Sequence, residues 1–153
     1  MEKREVERAE IVNRELQKTI PATRVELDYT NALELMVATV LSAQCTDVKV
    51  NEVTPALFKK YRRAEDYLAV APEELEEDIR QTGFYRQKTK NIRGAMAILI
   101  AEYRGEVPGE MEALTRLPGI GRKSANVILG NIFGVPGIVV DTHVGRVSQR
   151  LGL

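Results

Sequence analysis

The sequence predicts an all-α protein. Three observations carry this: apolar residues recur at helical spacing along most of the chain, Gly, Pro and capping residues separate these runs, and only one stretch resembles a strand. That stretch, Gly137-Ile138-Val139-Val140-Asp141, is short, and no second β-branched run lies nearby to pair with it. At 153 residues the chain is long enough for one self-supporting core, or one core with a small appendage.

The elements follow in order. Residues 2–18 place Val6, Ala9, Val12 and Leu16 along one side, and Pro21 comes soon after. Asn31 with Glu34 three residues on reads as a capping box opening a helix through Leu41. That helix is apolar nearly all round (Leu33, Leu35, Met36, Val37, Val40, Leu41), so it belongs at the centre of the core. A further helical stretch starts at Thr46, with Thr54-Pro55 marking a kink or a fresh start. Pro72 opens a short acidic helix that stops near Gly83. Residues 87–104 carry Ile92, Met96, Leu99 and Tyr103 on one stripe, with Gly105 as the stop. Residues 109–116, 122–131 and 142–151 make three more short helices.

Composition excludes several classes. The 22 basic and 22 acidic residues cancel, so bulk charge does not advertise a nucleic-acid partner. Their distribution is uneven: residues 73–78 read "EELEED", whereas Arg86, Lys88, Lys90 and Arg93 fall in a stretch without acids. From Met111 onward, Arg116, Arg122, Lys123, Arg146 and Arg150 outnumber Glu112 and Asp141. One positive face on a neutral protein fits DNA binding and fits plain helix solvation equally. Cys45 and His143 are the only residues of their types, so neither an internal disulfide nor an all-protein zinc site is expected. The charged start lacks a secretory signal, and the most apolar window, 32–43, is broken by Glu34 and too short to span a bilayer. The expectation is an intracellular, cytoplasmic protein.

The stretch Leu117-Pro118-Gly119-Ile120-Gly121-Arg122-Lys123 concentrates the chemistry. Pro118 pre-sets a turn, Gly119 can adopt positive φ, and Gly121 removes the last Cβ before a helix. Unpaired N–H groups at such a helix head form an anion site that needs no net positive charge. A nucleotide-binding P-loop is excluded, because Arg122 separates the glycine from Lys123 and no strand leads in. A plain connector between helices would account for the glycines, though not for the lysine that follows them.

Lys123 stands in the first helical turn, where the macrodipole disfavours a positive charge by about 0.3–1 kcal/mol. That is too little to leave an amine uncharged, so a nucleophilic role requires a dry pocket and a proton acceptor. Asp141 is the candidate acceptor. The run Ile138-Val139-Val140 is expected to be buried, delivering Asp141 to the core edge as the cap of the last helix.

Hairpin, lysine and aspartate together resemble the endonuclease III branch of the helix-hairpin-helix DNA glycosylases. The likeness runs through "LSAQCTD" (41–47), "TGFYRQKTKNI" (82–92), "GEVPGEMEALTRLPGIGRKSANVILG" (105–130) and "VVDTHVGRVSQRLGL" (139–153), in the family's order. The resemblance implies a six-helix barrel over 21–135 with the helix-hairpin-helix motif at about 109–131. Residues 1–20 and 136–153 would form the remnant of a second helical domain.

The resemblance further implies a bifunctional enzyme of base excision repair, removing oxidised pyrimidines and cleaving at abasic sites. Lys123 would attack C1′ of an extrahelical nucleotide, and Asp141 would help deprotonate it. Gln44 would fill the space left by the flipped nucleotide, and Phe84 would wedge beside the opposite strand. Arg86 and Lys88 would lie near phosphates, Gly119, Gly121 and Arg122 would hold phosphate, and His143 would support Asp141 or contact phosphate. The implied partner is damaged double-stranded DNA, bound by a nucleoid-associated monomer.

Relatives continue past this aspartate helix into a four-cysteine loop holding a four-iron four-sulfur cluster. This chain has one cysteine and ends twelve residues after Asp141, so no metal or cofactor is expected. Helices 2–18 and 142–151 are expected to lack packing partners, with activity open to impairment. The alternative reading is a non-catalytic helix-hairpin-helix DNA-binding module.

Overall fold

The computed structural model describes residues 3–20 and 22–153, and among these every regular element is helical. The order is α1 Lys3–Thr19, α2 Ala32–Leu41, α3 Asp47–Lys60, α4 Asp66–Ala69, α5 Pro72–Asp78, α6 Tyr85–Tyr103, α7 Met111–Thr115, α8 Arg122–Ile132 and α9 Thr142–Leu151. A 3-10 turn, Arg80–Thr82, joins α5 to α6. The described chain divides into two units, Glu26–Ile138 and a smaller one comprising residues up to Val25 with Val139–Leu153. Pro21 lies outside the described residues.

The larger unit is built around α2. Asn31 Oδ1 accepts from Glu34 N at 3.0 Å, and Glu34 Oε2 reaches back to Thr30 N at 2.6 Å, so the helix start is capped from both sides. Leu35, Met36, Val37, Ala38 and Leu41 are buried, and α2 packs against α3, α6 and α8. From α6 come Ile92, Ala95, Met96 and Leu99, and from α8 Ala125, Ile128 and Leu129. These form one apolar centre, whose burial is the main stabilising contribution.

Three elements depart from the sequence reading. Pro55 does not restart a helix: α3 runs through it. Burial of Val53, Thr54 and Leu57 on that helix offsets the roughly 3 kcal/mol cost of an interior proline. The short helix α4 carries no periodic signal; Asp66 Oδ2 accepts from Arg62 N and Arg63 N, which holds Tyr67 in the core. The acidic helix ends at Asp78, and the chain tightens into the 3-10 turn before Gly83, whose φ is +71°.

Tyr61 and Tyr67 stack with ring centroids 4.8 Å apart. Tyr61 OH donates to Asp78 Oδ2 at 2.6 Å, and Lys60 Nζ donates to the same oxygen. Burial, then this hydrogen bond, pushes the Tyr61 phenol up to about 12. Its folded value exceeds the usual 10.0, so the stability it contributes is complete below pH 10 and lost as pH rises towards about 12. In Tyr61→Phe, the fall of the urea midpoint over that interval is expected to shrink.

In the smaller unit, α1 and α9 expose Val6, Ile11 and Leu16, and Val144, Val147 and Leu151. Arg8 Nη1 donates to Gly152 O at 3.3 Å. The expected burial of Ile138-Val139-Val140 is not observed: Ile138 is 76% and Val140 63% exposed. The run leaves α8 in an extended form without a neighbouring strand, and a β-branched run alone covers nothing.

Candidate nucleic-acid interface

Within the larger unit, α7 and α8 are joined by Leu117–Gly121, and α6 supports this hairpin. Gly94 on α6 gives Pro118 room, since a Cβ there would stand 3.1 Å from the proline ring. Gly119 takes φ +84°, and a Cβ on it would stand 3.1 Å from Asn91. Only glycine meets both the backbone demand and the space. Leu117 and Ile120 are buried and anchor the turn, with Ile120 N donating to Leu117 O at 3.0 Å.

Gly121 differs. Its φ of −94° suits any residue, and no neighbouring atom lies within 4 Å of where its Cβ would be. Gly121 at the N-cap supplies no side-chain cap to α8, unlike the Asn31, Thr46 and Asp141 caps elsewhere. The missing Cβ leaves this helix head open to close approach, the geometry of a helix N-terminus that can accommodate an anion.

Arg122 and Lys123, the first two residues of α8, are both exposed. The dry surroundings expected for Lys123 are not observed, since its side chain is exposed while Ala125, Ile128 and Leu129 form the buried face of α8.

A second feature of the same unit is a cleft of about 190 Å³ lined by residues including Gln44, Phe84, Gln87, Lys88, Asn91 and Gly119. It brings together four of the residues singled out from the sequence. Gln44 and Phe84 both adopt left-handed backbone, with φ of 51° and 48°. For non-glycine residues this conformation costs about 1–3 kcal/mol each, and it is retained where the surroundings impose it. Phe84 is 64% exposed, so it is no core aromatic. Gln44 is also exposed, following the turn that ends α2.

Lys88 is the correction here. Expected as a surface cation, it is only 3% exposed. Its Nζ donates to Leu41 O at 2.7 Å and Thr82 O at 2.8 Å. Burial pushes the ammonium below the usual lysine range. Arg86, by contrast, is exposed, 5.5 Å from the Tyr85 ring centre and 3.9 Å from Glu76.

The sequence reading missed Asn91 and Gln87, whose side chains bond to each other at 2.9 Å and line the cleft. Their signal was a polar pair four residues apart on the face of α6 that also bears Gly94 and Lys88.

In the smaller unit, Asp141 caps α9, its Oδ1 accepting from His143 N at 3.0 Å and Val144 N at 2.8 Å. The His143 side chain is exposed, with Nδ1 3.0 Å from Arg146 Nη2.

Among the described residues no three His, Cys, Asp or Glu side chains gather as a metal site, and Cys45 is the sole cysteine. These residues do not fit a four-cysteine cluster. No helix among them is long and apolar enough to cross a membrane.

Residues 37–153 match the HhH-GPD superfamily base excision DNA repair protein family. The chain is 56% identical over 133 residues to endonuclease III of Bacillus subtilis (strain 168), covering 87% of this chain and 61% of that protein. It is 52% identical over 139 residues to endonuclease III of Synechocystis sp., covering 90% of this chain and 64% of that protein. The chain thus spans less than two thirds of the length of these two relatives. A solved non-covalent endonuclease III–DNA complex superposes with TM-score 0.90 at 53% identity, covering 95% of this chain and 69% of that one. A trapped endonuclease III–DNA covalent intermediate matches equally well, with TM-score 0.90.

Proposed function

The chain belongs to the HhH-GPD superfamily of base excision DNA repair proteins, and on that footing we propose that it is a DNA glycosylase with abasic-site lyase activity. The observation carrying this reading is a glycine-lined, uncapped helix head whose second residue is Lys123, in the unit that also presents Gln44 and Phe84. The similarity to a chain trapped as a DNA covalent intermediate supports a nucleophile of this kind.

In this reading the N–H groups at Gly121 and the start of α8 hold a backbone phosphate, with Arg122 beside it. Gln44 takes the space of the extruded nucleotide, and Phe84 unstacks the opposite strand, assisted by exposed Arg86. The Lys123 amine attacks C1′; the C1′–N bond to the base breaks, and the base leaves with the bonding electron pair and is protonated. Loss of a proton from the amine and cleavage of the C1′–O4′ bond, with O4′ taking up a proton, open the sugar ring and give a protonated imine. The imine draws electrons from the C2′–H bond, and β-elimination expels the 3′ phosphate. Asp141 accepts the amine proton and supports positive charge developing on the sugar. Because Lys123 is exposed, the bound duplex rather than the protein core excludes water from this centre. Oxidised pyrimidines suit the reaction, since a base that has lost aromatic stacking is extruded more cheaply. A cytoplasmic, nucleoid-associated monomer goes with this reading.

The test is a duplex with one abasic site. Strand cleavage yielding the β-elimination product supports the enzyme; tight binding without cleavage selects a DNA-holding module. Gly121→Ser separates phosphate holding from folding. Serine is a good N-cap and meets open space, so stability is expected to hold or rise by roughly a few tenths of a kcal/mol. Duplex affinity, measured by anisotropy at fixed salt, is expected to fall several-fold because the new hydroxyl takes the N–H groups first.

A further inference from the structure

The buried lysine of α6 takes no part in the chemistry proposed above, and among the described residues no carboxylate pairs with it. Burying a cation without a counter-charge is costly, so something specific retains it. Its two partners are informative. Leu41 is the last residue of α2, three before Gln44; Thr82 ends the 3-10 turn, two before Phe84. The Lys88 backbone N–H also donates to Phe84 O at 3.0 Å.

Both tethers from these carbonyls are short and internally bonded. On the Gln44 side, Ala43 N donates to Val40 O at 3.4 Å and Cys45 N to Ser42 O at 3.1 Å. On the Phe84 side, Gly83 N donates to Arg80 O at 3.2 Å and Thr82 Oγ1 to Ile79 O at 2.8 Å. The ammonium thus spans the base of the cleft that Gln44 and Phe84 line, and the C-terminal end of α2 favours its charge.

We propose that Lys88 is a positioning residue: a strut that fixes the separation of the Gln44 and Phe84 loops so that both side chains enter a duplex together. This rests on the reading of the cleft as a DNA-invading surface. Methionine, unbranched, methyl-ended and one atom shorter, would fill most of the volume and leave two inward carbonyls without donors, and the loops would relax independently. Loss of the strut therefore costs nucleotide extrusion and spares the chemistry at Lys123.

The experiment compares Lys88→Met with the unaltered chain on two abasic substrates. One is a duplex, which must be opened; the other is a single strand, which need not be. The expected result is a single-turnover rate about tenfold lower on the duplex, with borohydride adduct formation on the single strand within about twofold. In a Gln44→Ala background the duplex loss is expected to vanish, because the two changes act on one step. Equal losses on both substrates, or full additivity, would overturn the strut.

If Lys88→Met does not fold, Lys88→Arg keeps the charge and lengthens the span, and the same pattern is expected of it. If the unaltered chain forms no adduct, the enzymatic reading falls by itself. The strut is then judged by 2-aminopurine emission opposite a tetrahydrofuran site, which needs no chemistry. Unchanged emission in the variant, or none from the unaltered chain, rejects it.

Discussion

Lys123→Gln is expected to lose cleavage of abasic duplex by on the order of 10³-fold or more, because the group that forms the covalent bond is gone. The same change is expected to leave the fold intact. Lys123 stands second in α8, where a positive charge opposes the helix macrodipole, and its side chain is exposed. Removing that charge should hold stability constant or raise it by about 0.3–1 kcal/mol. Cleavage falls while stability does not, which no simple unfolding can reproduce. A urea midpoint alongside a single-turnover cleavage rate measures both.

Asp141→Asn is expected to lower the same rate by about 10²–10⁴-fold, the range of general acid–base contributions. Asp141 Oδ1 accepts from His143 N and Val144 N, so a residue with no side-chain acceptor would uncap α9 as well as remove the charge. Asparagine keeps an oxygen at the cap and ranks with aspartate there. Its effect on activity therefore reports the charge alone. Asp141→Ala should add a stability loss of about 1 kcal/mol, and comparing the two variants apportions capping and chemistry. A rate unchanged in Asp141→Asn would assign the aspartate to capping only.

The parts of this protein that were readable in its sequence are those where residue identity forces backbone geometry. Asn31 and Glu34 fix the start of α2 through a reciprocal cap, and its all-round apolar surface places it in the core. Gly119 marks the hairpin because its positive φ and close approach to Asn91 need glycine, whereas Gly121 leaves open space at the helix head. Gln44 and Phe84 were legible as residues that resemble duplex-inserting ones, yet nothing in their chemistry signals left-handed backbone. That conformation comes from the turns around them.

The burial of Lys88 is not legible in the sequence for a related reason. A lysine in a basic stretch is ordinarily solvated, and only the convergence of Leu41 and Thr82 carbonyls creates the buried site that holds it. The run 138–140 failed in the opposite sense, since β-branched residues promise burial that the fold must still supply. Local sequence reports local constraint; it reports meetings between distant segments only where a motif encodes them.

The measurement closest to the central claim is borohydride reduction of the chain on an abasic duplex, followed by peptide mapping of the adduct. A single DNA-linked peptide modified at Lys123 is predicted. Modification at any other amine, or recovery of folded, DNA-bound protein with no adduct, would contradict the assignment.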